Sequence, residues 1–547
     1  MSGVPVACGA LGAYEAGAAE RMRAALAPGL PQVHRDESSL LFLDRDPIRW
    51  ESERGFALAW SERLPIRAQK ARSLAEAAAA GGYGLLVEGD RRAVHASVSG
   101  VGPLYWRRDG QAMYFATAID PLTRVGAGSL EADWESWAQI IALGYACGDG
   151  TPFAAIKRLN PLGSLEHAAR TGTRVDRGRL AWAEVEPGGS DDVAEQIVSA
   201  IARELDELDP RVPLASLLSG GLDSRLMLAL LANRGLDLAA WTADTEEGRS
   251  QDELAAAVAS ALGVPHASIE AVERRFANEL DDAARSVEYE SMLHLPMARL
   301  AGSLPQGAAA VVNGLGGDTF VKGLVLTPEV IEAPDWRRSV AIVFERFAPT
   351  RAAPFEPGAW QAIRGVAEDA FMGEAQRFAD HPSAATLTYF WTRTRRGISQ
   401  AAMRHFGASR EIVAPLVSDR VVRAALRAPQ RAKRDSALSW RVLELANADV
   451  ARLPSTESWR DEPPGAQRRS ERSRQARAAY ISLLERSPLR PWLSEALRGG
   501  LERGGLGGEL RSHFGLRRVQ ALCTLQLWLD RYRELLADPD PAPLIEG

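Results

Sequence analysis

Cysteine is scarce: the 547 residues contain three, Cys8, Cys147 and Cys523. They are far apart and odd in number, with no Cys-X-X-Cys pair and no Cys/His cluster. That excludes a disulfide framework and a structural zinc site. Lysine is rarer than its partner arginine by a wide margin. Lys70, Lys157, Lys322 and Lys433 are the only ones among 65 basic residues, which leaves few candidates for a catalytic amine. No run of about 18 apolar residues occurs, and no basic stretch leads into an apolar one near residue 1. The expectation is a cytoplasmic protein in a reducing setting, with no membrane span. A net charge of −6 gives no reason to expect nucleic acid as a partner. Also missing is the Gly-Lys-Ser/Thr of a Walker loop, which argues against ordinary phosphoryl transfer.

What is present is ordinary in bulk: 46% apolar and 25% charged residues, in a chain long enough for two or three domains. Residues 1–188 read as β-rich, with short runs at 40–43, 84–87, 93–98, 104–106 and 113–117. Asp109-Gly110 is a hairpin signal between the last two. Residues 151–163 read as loop, 164–167 as a further strand, and Pro187-Gly188-Gly189 as a linker. From 189 to 547 the pattern is α/β. A helix over 193–208 precedes a strand over 212–218, a Gly-rich turn, and a helix closed by Gly235. A strand over 238–243 follows. Ser250 to Glu253 is a capping box opening a helix over 254–262, with Gly263 as its terminator. The next strand covers 308–312. Strands and helices alternating at this spacing predict a parallel doubly wound sheet. Beyond about residue 325 the chain reads as helical, with a break at 499–508 and a last amphipathic stretch over 516–536. The basic run 468–477 reads as a solvated helix face, with a contact site for acidic peptide or phosphate as the alternative.

Two Gly-rich loops carry the chemistry. Ser219-Gly220-Gly221-Leu222-Asp223-Ser224 lies between a strand and a helix, where backbone N–H groups and a helix N-terminus face an anion. Paired glycines let the main chain approach a polyphosphate. Ser219 and Ser224 add hydroxyls, and Asp223 can hold Mg2+ against the phosphates. The second loop is Asn313-Gly314-Leu315-Gly316-Gly317-Asp318. Both loops follow strands, so they are expected to share one crevice at the strands' carboxyl ends. Asp223 and Asp318 then form the natural pair for one magnesium ion. Lys322 can neutralise charge on pyrophosphate or an acyl-adenylate; it reads equally well as a surface lysine at a helix start.

The first loop resembles the PP-loop of enzymes that split ATP between its α and β phosphates. The chain as a whole resembles the asparagine synthetase superfamily. The resemblance is carried by Leu217 to Ser224, by Ser250 to Glu253 with Ala261 to His266, and by Asn313 to Asp318. Pro415-Leu-Val-Ser-Asp419 and Ala428-Pro-Gln-Arg-Ala-Lys433 are similar to the family's late signature. In the first half the similar segments are Gly102-Pro-Leu-Tyr105, Phe115-Ala-Thr117, Thr151-Pro-Phe153 and Ile156-Lys-Arg-Leu159. The resemblance implies an α/β with α+β architecture. It places a degenerate glutaminase-like (Ntn-type) β-rich domain over 1–188 and a PP-loop ATP pyrophosphatase domain over 189–547. It also implies that Leu218, Ser219, Gly220, Gly221, Asp223 and Ser224 contact ATP. Thr242, Asn313 and Gly314 frame adenine and ribose, and Asp223 and Asp318 hold Mg2+.

Departures from the family pattern redirect the expected function. A glutaminase of this type needs a cysteine at position 2; Ser2 and Gly3 stand there, and Cys8 is internal. The amine is then expected from the substrate. Leu315 stands where asparagine synthetases have Glu and β-lactam synthetases have Tyr, and an aliphatic side chain is no base. The lasso-peptide cyclase branch is left. It joins a precursor peptide's N-terminal amine to an Asp or Glu side chain, releasing AMP and pyrophosphate. The implied partners are that peptide, a leader-binding protein and a leader peptidase. The alternatives are a small-molecule β-lactam or amide synthetase, a glutamine-independent asparagine synthetase-like enzyme, and an ATP-binding scaffold without catalysis. Glu288, Tyr289, Glu290 and His294 are placed near the site or in structural roles. Arg393, Arg395 and Arg396 read as anion contacts or as a solvated helix face.

Overall fold

Alternation of side chains sets the architecture of the first half. In strand β1 (Ala7–Gly12), Ala7 and Leu11 face one core while Cys8 and Ala10 face another. The computed structural model describes residues 6–61, 82–126, 128–188, 192–244, 251–270, 273–292, 297–350, 354–459, 472–506 and 513–546. The remaining strands of this half are β2 (Gln32–Arg35), β3 (Ser39–Leu43), β4 (Ile48–Ser52), β5 (Gly55–Ser61), β6 (Gly82–Glu88) and β7 (Arg91–His95). They continue with β8 (Tyr105–Asp109), β9 (Ala112–Ala116), β10 (Ile156–Arg158), β11 (Ser164–Ala168) and β12 (Gly172–Asp176). Two six-stranded antiparallel sheets result, in the orders β10-β8-β9-β1-β3-β2 and β12-β11-β7-β6-β5-β4. Leu41, Leu85, Val94, Met113, Phe115 and Leu165 fill the space between them. The helices Ala16–Leu26 and Trp134–Leu143 cover the outer face of the first sheet. The expected hairpin joins β8 to β9, with Gly110 at φ +57 in its turn. Strand β10 lies inside the stretch that reads as loop.

The second half is built on β13 (Leu214–Leu217), β14 (Leu238–Asp244), β15 (His266–Glu270), β16 (Ala310–Val312) and β17 (Glu411–Val413). They form one parallel sheet in the order β15-β14-β13-β16-β17. Order runs outward in both directions from β13, so the topological switch point lies between β13 and β16. Helix Gln251–Ala261 ends as expected at Gly263. Val264 N–H bonds Ala259 O (2.9 Å) and Gly263 N–H bonds Ser260 O (3.1 Å), a Schellman closure. Helix Glu495–Glu502 runs through Gly499 and Gly500, where the sequence suggests a break. Ser2, Gly3, Ser250, His294, Gly189, Gly508 and the run 460–471 lie outside the described residues.

A buried ionic cluster joins the two halves. Glu290, fully buried, accepts from Arg396 Nη2 (3.0 Å), Gln400 Nε2 (2.7 Å) and the Tyr105 hydroxyl, with Arg158 at 3.9 Å. Arg395 and Arg396 are not on a solvated face. They donate to Gly148 O (2.9 Å), Ala146 O (3.1 Å) and Gly150 O, from a stretch wound with wide i→i+5 turns over Phe390–Ile398. Glu288 accepts from Ile119 N–H (3.1 Å), so these acids and arginines weld the fold. Glu290→Ala would leave Arg158 and Arg396 buried without their counter-charge. Its expected cost is about 3–5 kcal/mol, read as a fall in the urea midpoint.

Candidate active site

The strand β13 empties directly into the first Gly loop, and Gly221 precedes the helix Leu222–Leu231. That puts Asp223 and Ser224 in the helix's first turn, where the helix dipole favours anions. The loop is held in shape by its own hydroxyls. Ser224 Oγ accepts from Ser219 N–H (3.0 Å) and lies 2.9 Å from Ser219 Oγ, which accepts from Gly221 N–H (3.2 Å). Leu218 is buried and tied to β14 through Trp241 O (2.8 Å).

The second loop leaves β16 beside it. Here glycine is needed for space. A Cβ on Gly317 would fall 2.3 Å from Asp223 Cγ, and one on Gly314 2.9 Å from Asp223 Cβ. The two expected loops therefore interlock, with the carboxylate of one seated on the glycines of the other. Asp318 accepts from Thr319 Oγ1 (3.1 Å) and from the Tyr389 hydroxyl (3.4 Å), which in turn accepts from Arg393 Nε (3.1 Å). Arg393 thus supports the site through Tyr389. Asn313 Oδ1 accepts from Leu315 N–H (2.9 Å), fixing the turn, while Leu315 itself is buried in the core. Thr242, buried on β14, bonds His266 Nε2 (2.8 Å).

The electrostatics favour a cation between the loops. Burial, with the charge of Asp318 added, pushes the Asp223 carboxyl up to about 7; Lys322 opposes this and Glu457 reinforces it. Asp223 Oδ1 and Asn313 Nδ2 are buried without a hydrogen-bond partner. An orphaned carboxylate oxygen facing a second acid fits a divalent ion. Magnesium takes one or two carboxylates and completes its shell with phosphate and water. Among the described residues no group of three or more His, Cys, Asp or Glu forms a fuller metal cage.

The two lysines near the loops differ. Lys322 is ion-paired with Glu457. Lys433 is 1% exposed, and burial pushes its amine down to about 7. Gly323 packs on its Cβ, and two left-handed residues, Asp435 (φ 53) and Ser436 (φ 63), follow it. Sequence reasoning weighs Lys322 as the catalytic amine and leaves Lys433 as one member of a late signature. Only the Pro429 to Lys433 spacing signals it.

A family model described as asparagine synthase matches residues 192–530. No curated protein matches the chain. Among solved structures, a glutamine phosphoribosylpyrophosphate amidotransferase from B. subtilis, complexed with ADP and GMP, is similar at 12% identity. The match covers 63% of this chain and 80% of that one, with a TM-score of 0.22. Among the described residues, no helix is long and apolar enough to cross a membrane.

Proposed function

The chain belongs to the asparagine synthase family of ATP-dependent amide-forming ligases, and we propose that it closes a lasso-peptide macrolactam ring. The carboxylate it activates is an Asp or Glu side chain of a precursor peptide, and the amine is that peptide's own N-terminus. The observation that carries this reading is the state of the cysteines. All three are buried. Cys8 sits within β1 between β3 and β9, and burial pushes its thiol up to about 12. A thiol held protonated inside a sheet cannot release ammonia from glutamine. Leu315 offers no base in place of the Glu or Tyr of the small-molecule branches.

In this mechanism ATP spans the two loops, with its triphosphate on Ser219, Gly220, Gly221 and Ser224, and Leu218 behind them. Thr242, Asn313 and Gly314 border adenine and ribose. Asp223 and Asp318 would hold Mg2+, which neutralises charge on the phosphates when bound. The peptide carboxylate attacks the α-phosphate and pyrophosphate leaves. The N-terminal amine, with an ordinary pKa of about 8, needs little help to lose its proton before attacking the acyl group. AMP leaves as the amide forms. The protein's main task is then to hold a folded peptide with amine and acyl carbon in register. The precursor peptide, a leader-binding protein and a leader peptidase are the proposed partners.

Pyrophosphate release tests the reading. A core peptide with a free N-terminus and an Asp or Glu at ring distance should trigger it, with loss of one water from the peptide's mass. Release with a small β-amino acid, and none with peptides, would favour the β-lactam-type alternative.

A further inference from the structure

The stretch from Val450 to Glu457 runs from behind the first Gly loop to the turn that follows the second. Arg225, fully buried behind the first loop, donates to the carbonyls of Val450 (3.5 Å), Leu453 (3.0 Å) and Pro454. Thr456 N–H bonds Gly220 O (3.0 Å), and its methyl lies 2.6 Å from where a Cβ on Gly220 would stand. Glu457 then pairs with Lys322, just beyond the second loop, and accepts from Ser436 Oγ (3.5 Å). Their side chains are 16% (Lys322) and 12% (Glu457) exposed. One strap is thus fastened to the first loop, to the helix behind it, and to the turn after the second.

Charge decides what the pair can do. Asp223, Asp318 and Glu457 set three carboxylates against Lys322. A triphosphate adds negative charge, and a fixed carboxylate beside it repels it by the same Coulomb law that makes the ammonium attractive. Lysine's flexible stem lets its amine change partners. We infer that Glu457 is a displaceable counter-ion that pairs with Lys322 and yields it to the phosphates of ATP, so that Glu457 sets nucleotide affinity by competition. The inference rests on ATP binding at the two loops.

Isothermal titration of the full chain with Mg2+ and ATP tests it, with melting curves confirming that each variant is folded. Glu457→Gln should bind ATP about three- to tenfold tighter, and Lys322→Gln about tenfold weaker. In the double variant the gain from Glu457→Gln should vanish, because there is no ammonium left to release. Unchanged or weaker binding by Glu457→Gln overturns the inference. So does an equal gain in the Lys322→Gln background, which would mean plain charge repulsion. A wild type that binds no ATP removes the underlying site assignment instead.

Discussion

Asparagine at position 223 is expected to lower AMP formation about 10³-fold while making the metal-free protein more stable. The two effects share one cause. Asp223 Oδ1 is buried without a partner, on glycines that leave no room to turn away, and it faces Asp318. In the unfolded chain this carboxyl ionises near 3.8; in the fold, burial first and Asp318 second hold it up to about 7. The folded state therefore binds the proton more tightly. The stability it gains from the protonated group is complete below about pH 4 and is lost as pH rises to about 7. An ion between Asp223 and Asp318 would reverse that loss, since metal ligands must be deprotonated. Thermal melts between pH 4 and 8 check this. Without Mg2+ the wild-type Tm should fall across the window, while Asp223→Asn stays flatter and melts higher at pH 8. With Mg2+ and ATP only the wild type should gain. A variant that melts lower than wild type at pH 8 without metal contradicts the assignment.

Both loops were legible in the sequence because close approach dictates their residue types. Gly314 and Gly317 are glycine because a Cβ there meets Asp223, and such constraints leave a compact local signal. Of the parallel sheet, β13, β14 and β16 were legible, since each leads into a turn and a helix; β15, the edge strand His266–Glu270, was not read as a strand. Strand β17 was not: three residues, Glu411 to Val413, carry no periodicity. The roles of Arg395 and Arg396 were hidden as well. Their acceptors are the carbonyls of Ala146, Gly148 and Gly150, far away in the chain, and a basic triplet in a helical pattern looks the same whether solvated or buried. Lys433 and Glu457 lie more than a hundred residues beyond the second loop, and only the folded chain brings their segments back to it.

Lys433→Met is expected to reduce kcat/KM about 10²- to 10⁴-fold and, like the change at Asp223, to stabilise the fold. Met has nearly the same shape and no charge to bury. The amine of Lys433 is enclosed, with no ion-pair partner among the described residues, and burial brings it from 10.5 down to about 7. A group depressed in this way contributes stability above its unfolded pKa. That contribution is lost as pH falls from about 10.5 to about 7, so at neutral pH the lysine costs stability. Its value would then lie in what enters the site. A phosphate or adenylate beside the amine favours the charged form and draws a proton from solvent as it binds. Calorimetry of ATP binding at pH 8, in buffers of different ionisation enthalpy, reads that proton directly. Wild type should take up a fraction of one proton, and Lys433→Met none. Lys433→Arg should not rescue turnover, because a planar guanidinium cannot occupy the ammonium's site or shed its charge. Equal proton uptake in wild type and Lys433→Met would place this amine away from the phosphates and leave Lys322 as the catalytic cation.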